Sequence, residues 1–143
     1  MTLETVSGTW YVVRTSLSFW RRRTDPSVTY APLPDGRVVD TVRYLSRGRP
    51  RLVVGVDVPD GEGWVWRGIT PLTRLTSSRW QVVEAQDEWA LTHFEKTLFT
   101  PEGWDVYCRA PQVSASSEEA LRAALARHDV PDLFAPLHTA GAR

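Results

Sequence analysis

The sequence predicts an all-β domain, a sandwich or a barrel of eight short strands, followed by one amphipathic helix. Three observations carry this expectation. From Thr9 to about Arg109 the chain is a series of short runs rich in Val, Trp, Tyr and Thr, punctuated by turn residues about every eight to twelve positions. The links between runs tend to alternate short and long, as in a sheet whose strands run up and down in turn. After Arg109 the apolar residues adopt helical spacing.

Strands are expected near residues 9–15, 27–32, 37–46, 51–57, 63–68, 77–85, 88–96 and 103–109. "PDG" at 34–36 and "PDGEG" at 59–63 combine the fixed φ of proline with the positive φ open to glycine, which makes both tight hairpin links. The links at 16–26, 69–76 and 97–102 are longer and contain Pro26, Pro71 and Pro101. In "SSEEALRAALARHDV", Ser116 and Glu119 stand at capping-box spacing, and Leu121, Ala124, Leu125 and His128 share one face of a helix over about 116–128. That stripe has to lie on the sheet. Pro131 then stops the helix or starts a short second turn around Asp132–Phe134, within a tail over 129–143. There is no internal repeat, low-complexity tract or linker, so residues 1–143 read as one domain.

A chain of 143 residues hides roughly two thirds of its unfolded surface on folding, enough for a core or a ligand cavity. With 17 basic and 17 acidic residues the net charge is zero, which speaks against a nucleic-acid partner. No stretch approaches the ~18 apolar residues of a membrane span. "MTLETVSGTW" has neither a basic nor an apolar signal region, and Cys108 is the only cysteine; both lead to a cytoplasmic expectation. No Cys/His metal spacing, Gly-rich phosphate loop or hydrolase elbow is present, so neither a metal nor another cofactor is expected. Lys96 is the sole lysine beside 16 arginines, a bias that GC-rich coding alone would also produce. Seven tryptophans, at 10, 20, 64, 66, 80, 89 and 104, supply a large aromatic area to be buried or offered to a ligand.

Eight meandering strands and a C-terminal helix, opened by Gly8-Thr9-Trp10-Tyr11, resemble the lipocalin family. The resemblance extends through "DGRVVDTVRYLSRG" at 35–48, "TSSRWQVVEA" at 76–85 and "GWDVYCRAP" at 103–111, and "HDVPDLFAPLHT" looks like the segment after the helix in bacterial lipocalins. The chain departs from the family in lacking the usual signal and the disulfide found in many members. The resemblance implies an eight-stranded up-and-down antiparallel β-barrel with the helix packed outside. It further implies that Trp10, in its Gly8-x-Trp10 motif, closes the narrow end and that Arg109 covers it. A guanidinium suits that role, because it stacks on indole while its donors reach carbonyls.

Strand alternation then orders the candidates. If Trp10 faces inward, so do Val12 and Arg14; counting back from an inward Arg109 puts Tyr107 and Asp105 inside and Cys108 outside. Arg14 and Asp105 would then either pair across adjacent first and last strands or sit at a solvent-filled mouth without a specific role. Trp64 and Trp66 share a face, forming a lumenal aromatic wall with Trp80 or packing under the helix. His93 shares a face with Trp89, Leu91 and Glu95, opposite Ala90, Thr92, Phe94 and Lys96, and which face is inward stays open. A lone histidine there is a ligand-facing group or a satisfied core or rim residue. The links at the open end carry Arg21, Arg22, Arg23, Arg47, Arg49, Arg51 and Arg74, which give the mouth a positive field or form a solvated surface.

The leading expectation is a protein that binds a small hydrophobic or aromatic molecule, with room for an acidic group, through Arg14, Trp64, Trp66, Trp80, His93, Asp105 and Tyr107. The alternative is a lipocalin-fold enzyme of natural-product biosynthesis that catalyses a cyclisation or isomerisation in the same cavity. Arg14, His93, Asp105 and Tyr107 would then supply its polar groups. A pure interaction domain would instead have a barrel packed solid with side chains.

Overall fold

The computed structural model describes residues 6–70, 77–98 and 100–139. The sequence-predicted loop over 71–76, with Pro71 and Arg74, lies outside the described residues, as do both chain ends. Eight strands follow in order: β1 (Gly8–Thr15), β2 (Arg23–Pro32), β3 (Val38–Ser46), β4 (Arg49–Asp60), β5 (Gly63–Gly68), β6 (Ser77–Ala85), β7 (Trp89–Phe94) and β8 (Gly103–Cys108). Each pairs antiparallel with the next, and β8 returns to β1, so the sheet closes into a barrel. The expected all-β up-and-down barrel is therefore the observed one. Two boundaries differ by more than two residues. β2 starts at Arg23 rather than residue 27, because its first residues already pair with Ser46 and Leu45 of β3, and β4 runs through Asp60, because Val58, Pro59 and Asp60 pair with β5.

Closure bends the strands, and the bending is localised in bulges. Register shifts fall between Val12 and Arg14 on β1, Thr24 and Ser27 on β2, and Val82 and Glu84 on β6. At each, one strand has residues without an opposite number. Side chains beyond the bulge therefore change sides relative to strict alternation.

Two apolar layers result. The lumenal layer contains Trp10, Val12, Val28, Tyr30, Trp64, Trp80, Ala90 and Tyr107. The outer layer, with Val13, Trp89, Leu91, Val106 and Cys108, is covered by Leu121 and Ala124 of the helix α1 (Ala115–Arg127). The N-cap of α1 is Ser114, whose Oγ accepts from Ser117 N–H at 3.2 Å. This replaces the expected Ser116–Glu119 box: "SASS" offers several serines, and the one that satisfies the first free N–H groups lies two residues earlier. Where α1 ends, Arg127 and His128 both reach Glu84 on β6, His128 at 3.1 Å, and they hold that carboxyl below its ordinary pKa.

No second helical turn forms after Pro131. The tail instead runs extended, making bridges from Phe134 to Thr15 and from Leu137 to Thr24. It occupies the ground opened by the bulges of β1 and β2: His138 Nε2 bonds Val12 O at 2.7 Å, and Asp25, at φ 54°, accepts from Thr139 N–H and Oγ1. Among the described residues, no helix is long and apolar enough to cross a membrane.

Candidate functional site

The barrel holds a cavity of about 500 Å³ that opens at one end. Its volume lies within the usual range for small-molecule sites. Register fixes its walls. Trp66 on β5, Trp80 on β6 and Phe94 on β7 line one side, facing Val28 and Tyr30 on β2 and Val42 on β3. Trp80 is the centre of this wall, with its ring stacked at 5.4 Å from Tyr30, 4.8 Å from Trp64 and 5.8 Å from Phe94. Trp66 reaches inward over Gly55, where a Cβ would come within 2.1 Å of the indole Nε1. At the mouth, the segment after β1 forms a short 3₁₀ helix (Ser18–Arg22), and Phe19 and Trp20 from it line the cavity beside Leu17, Thr100 and Pro101.

The polar groups in this apolar cup are acids and phenols. Asp105, the third residue in from the mouth end of β8, accepts from Thr15 Oγ1 at 2.6 Å, and burial pushes its carboxyl up to about 7. Such a group gives or takes a proton near neutral pH. Deeper in, Tyr30 O–H donates to Tyr107 O–H at 3.4 Å, and burial holds both phenols well above their ordinary pKa. Toward the closed end, Asp40 on β3 and Asp57 on β4 form a coupled pair. Asp57 accepts from Trp80 Nε1 at 2.9 Å and from Asp40, while burial and the Asp57 charge raise Asp40 well above the carboxylate range. Asp40 Oδ1 and Asp57 Oδ2, both buried, meet no hydrogen-bond partner among the described residues. No lysine, arginine or histidine is among the described residues lining the cavity.

The structure brings only some of the sequence candidates together. Trp66, Trp80, Asp105 and Tyr107 line the cavity, and Trp64 lies behind Trp80, buried and stacked on it. Arg14 does not face inward. The bulge after Val12 adds a residue, so Val13 and Arg14 both point outward and Thr15 takes the inward place opposite Asp105. Arg14 lies instead in a groove with Glu118, Leu121 and Arg122 of α1. His93 is also outside: Ala90, Thr92 and Phe94 form the inner face of β7, and His93 packs on Trp104 at 4.5 Å beside Glu102 at 3.4 Å. Among the described residues, the arginines of the mouth-end links do not line the cavity. Arg21 lies over Phe134 at 4.1 Å and Arg23 over Phe19 at 3.7 Å, since a guanidinium beside exposed aromatic edges gains more by stacking than by entering an apolar cavity.

At the closed end Trp10 is buried and donates from Nε1 to Val6 O at 2.9 Å. The Arg109 guanidinium lies 3.5 Å from the Trp10 ring centroid and donates to Thr9 O at 3.1 Å. Gly8, at φ 90°, leaves the space that Arg109 occupies, with Nη1 3.4 Å from where a Cβ would stand.

Tyr30, Thr15 and the Asp40–Asp57 pair are site residues that sequence reasoning passed over. Asp40 did leave a signal: in "VVDTV" (38–42) it shares its beat of the alternation with Val38 and Val42. Asp57 left none, because in "GVDVPD" (55–60) it alternates with Val56 and Val58 as an outward residue would, and that it turns inward beside Asp40 is a matter of register, visible only in the fold.

No protein-family model and no curated protein matches the chain. Among solved structures, it is similar to apocrustacyanin C2, with TM-score 0.76 and 10% identity over 96% of this chain and 79% of that one. It is also similar to the siderocalin Ex-FABP, which functions through dual ligand specificities, with TM-score 0.71 and 14% identity over 94% of this chain and 95% of that one. At these identities the likeness is one of fold.

Proposed function

Since the chain has the lipocalin, or calycin, fold, we propose that it binds one small hydrophobic molecule with an aromatic or other flat body in the barrel lumen. The observation that carries this is the open cavity of about 500 Å³ walled by Trp66, Trp80 and Phe94. A barrel acting only through its outer surface would gain nothing from leaving such space unfilled, because close packing is the stable state of an interior. That the siderocalin Ex-FABP functions through ligand specificities is in keeping with this use of the fold. The arginine-rich links suggested an acidic ligand; the carboxyls of Asp40 and Asp105 in the lining speak against one. A reducing, cytoplasmic setting suits a chain whose sole cysteine, Cys108, is buried.

Titration with the neutral fluorophore N-phenyl-1-naphthylamine tests the proposal. Saturable enhancement at one site per chain, abolished by Val42→Trp filling of the lumen, is expected. Enhancement that never saturates, or that survives Val42→Trp in a folded protein, would reject it.

One observation favours a second reading, in which the cavity catalyses a cyclisation or isomerisation: Asp105, held at about 7 in an apolar wall, is poised for acid–base work. Mass spectrometry of bound ligand before and after incubation separates the two, since a carrier returns its ligand unchanged and an enzyme does not.

A further inference from the structure

We propose that the lumen selects an organic cation, an amine with an apolar, preferably aromatic body. Its ammonium would sit against Asp40 and Asp57 and its body along Trp66, Trp80 and Phe94. This rests on the lumenal-binding reading above and specifies the class of ligand.

Charge is the first support. Asp57 accepts hydrogen bonds from both Trp80 Nε1, at 2.9 Å, and Asp40, which marks it as the member of the pair that loses its proton first. One proton shared between the two acids would leave the pair with one negative charge. Asp57 is completely buried and Asp40 is 5% exposed. A buried charge without a partner is strongly disfavoured, and among the described residues no basic side chain lines the cavity to provide one. Asp40 itself lines the cavity, so a partner can reach the pair from within it.

Register supplies the second support. Asp40 stands opposite Tyr30 on β2 and Gly55 on β4, and the indole of Trp66 lies over Gly55. The acid thus stands between Tyr30 on the adjacent β2 and, across Gly55 of β4, the indole of Trp66 on β5. A carboxylate bordered by π faces satisfies an ammonium twice, by charge-assisted hydrogen bonds and by the negative ring faces. It opposes a carboxylate ligand by like charge. Depth makes the seat selective for the end of a ligand. Asp40 is the third residue in from the closed end of β3, whereas Phe94, Thr100 and Pro101 stand toward the mouth, leaving the length of the aromatic wall for an apolar body.

Isothermal titration calorimetry at pH 7.5 tests this with three ligands of one body: 4-phenylbutylamine, 4-phenylbutan-1-ol and 4-phenylbutyrate. The amine should bind at least tenfold tighter than the alcohol, and the carboxylate weakest. The double variant Asp40→Asn/Asp57→Asn, which keeps the shape of both side chains and removes whichever carboxyl would carry the charge, should weaken the amine at least tenfold and leave the alcohol within twofold; alcohol binding also shows that the variant is folded. The wild-type ranking stands apart from any variant. If the alcohol and N-phenyl-1-naphthylamine bind but the amine is no tighter, or if Asp40→Asn/Asp57→Asn leaves amine affinity unchanged, cation selection is overturned and lumenal binding stands. If none of the probes binds, both fall.

Discussion

Asp105→Asn should make the barrel progressively more stable than wild type as pH rises. Asp105 is fully buried, and its carboxyl is pushed from an ordinary 3.8 up to about 7 in the folded protein. A raised pKa means that the folded state holds its proton while the unfolded chain has already released it. Below about 4 both states are protonated and the group makes no difference. Between about 4 and 7 the folded state is disfavoured by about 1.4 kcal/mol for each pH unit, and above about 7 the accumulated cost of about 4 kcal/mol is constant. The amide has nearly the same shape and its oxygen can still accept from Thr15 Oγ1, now 2.6 Å from the acid. Its unmatched N–H group adds a cost of about 1–3 kcal/mol, but equally at every pH. The observable is therefore the slope: the stability of the variant minus that of wild type should climb by about 4 kcal/mol between pH 4 and 7, then level off. The buried acids Asp40 and Asp57 are raised in the same direction but are common to both proteins, and Tyr107 stays neutral throughout, so they drop out of the difference. Urea unfolding followed by tryptophan fluorescence at half-unit pH steps measures it. A difference that stays flat from pH 4 to 8 would refute the burial argument for Asp105 and remove the basis for assigning it acid–base chemistry.

Arg109→Ala should lower stability by about 1–2 kcal/mol in urea unfolding, from the lost stack on Trp10 and the lost bond to Thr9 O, and Arg109→Lys should recover only part of it, because an ammonium lacks the planar face. Arg14→Ala should leave the affinity of any lumenal ligand within twofold in the calorimetric titration, because Arg14 lies outside the barrel beside α1. Asp25→Ala should release the tail, losing two hydrogen bonds to Thr139 and placing alanine at φ 54°. A loss of about 2–3 kcal/mol is expected, with faster amide exchange over residues 134–139 detected by mass spectrometry.

The barrel was legible in the sequence because its signals are local: alternation within each run, glycine and proline at the hairpins, and a change of period at the helix. The site was legible only where alternation continued unbroken. Counting back along β8 from Arg109 crosses no bulge, and Tyr107 and Asp105 do line the cavity. Counting forward along β1 from Trp10 crosses the bulge after Val12, which "WYVVRT" announces with neither glycine nor proline, and Arg14 emerges on the opposite face. The parity of His93 is set by pairing with β8, not by anything within β7, whose residues suit either side. The Asp40–Asp57 pair needed the register of β3 on β4, a long-range quantity that no local pattern encodes. The arginine-rich links were legible as a count of guanidiniums near the opening, whereas the directions of Arg21 and Arg23 are set by Phe134 and Phe19, partners that a count does not reveal.

Gly55 and Trp66 occupy one shared space across β4 and β5, the absent side chain of the first making room for the indole of the second. The calibre of the lumen is therefore a property of the two positions jointly. Alanine at 55 alone should force the indole aside, whereas the same alanine combined with a smaller ring at 66 should fold well around a cavity of altered bore. In homologues with other ligands, these two positions are expected to change together, each enlargement at one answered by a reduction at the other, so that pocket width can drift while the strands that frame it keep their register.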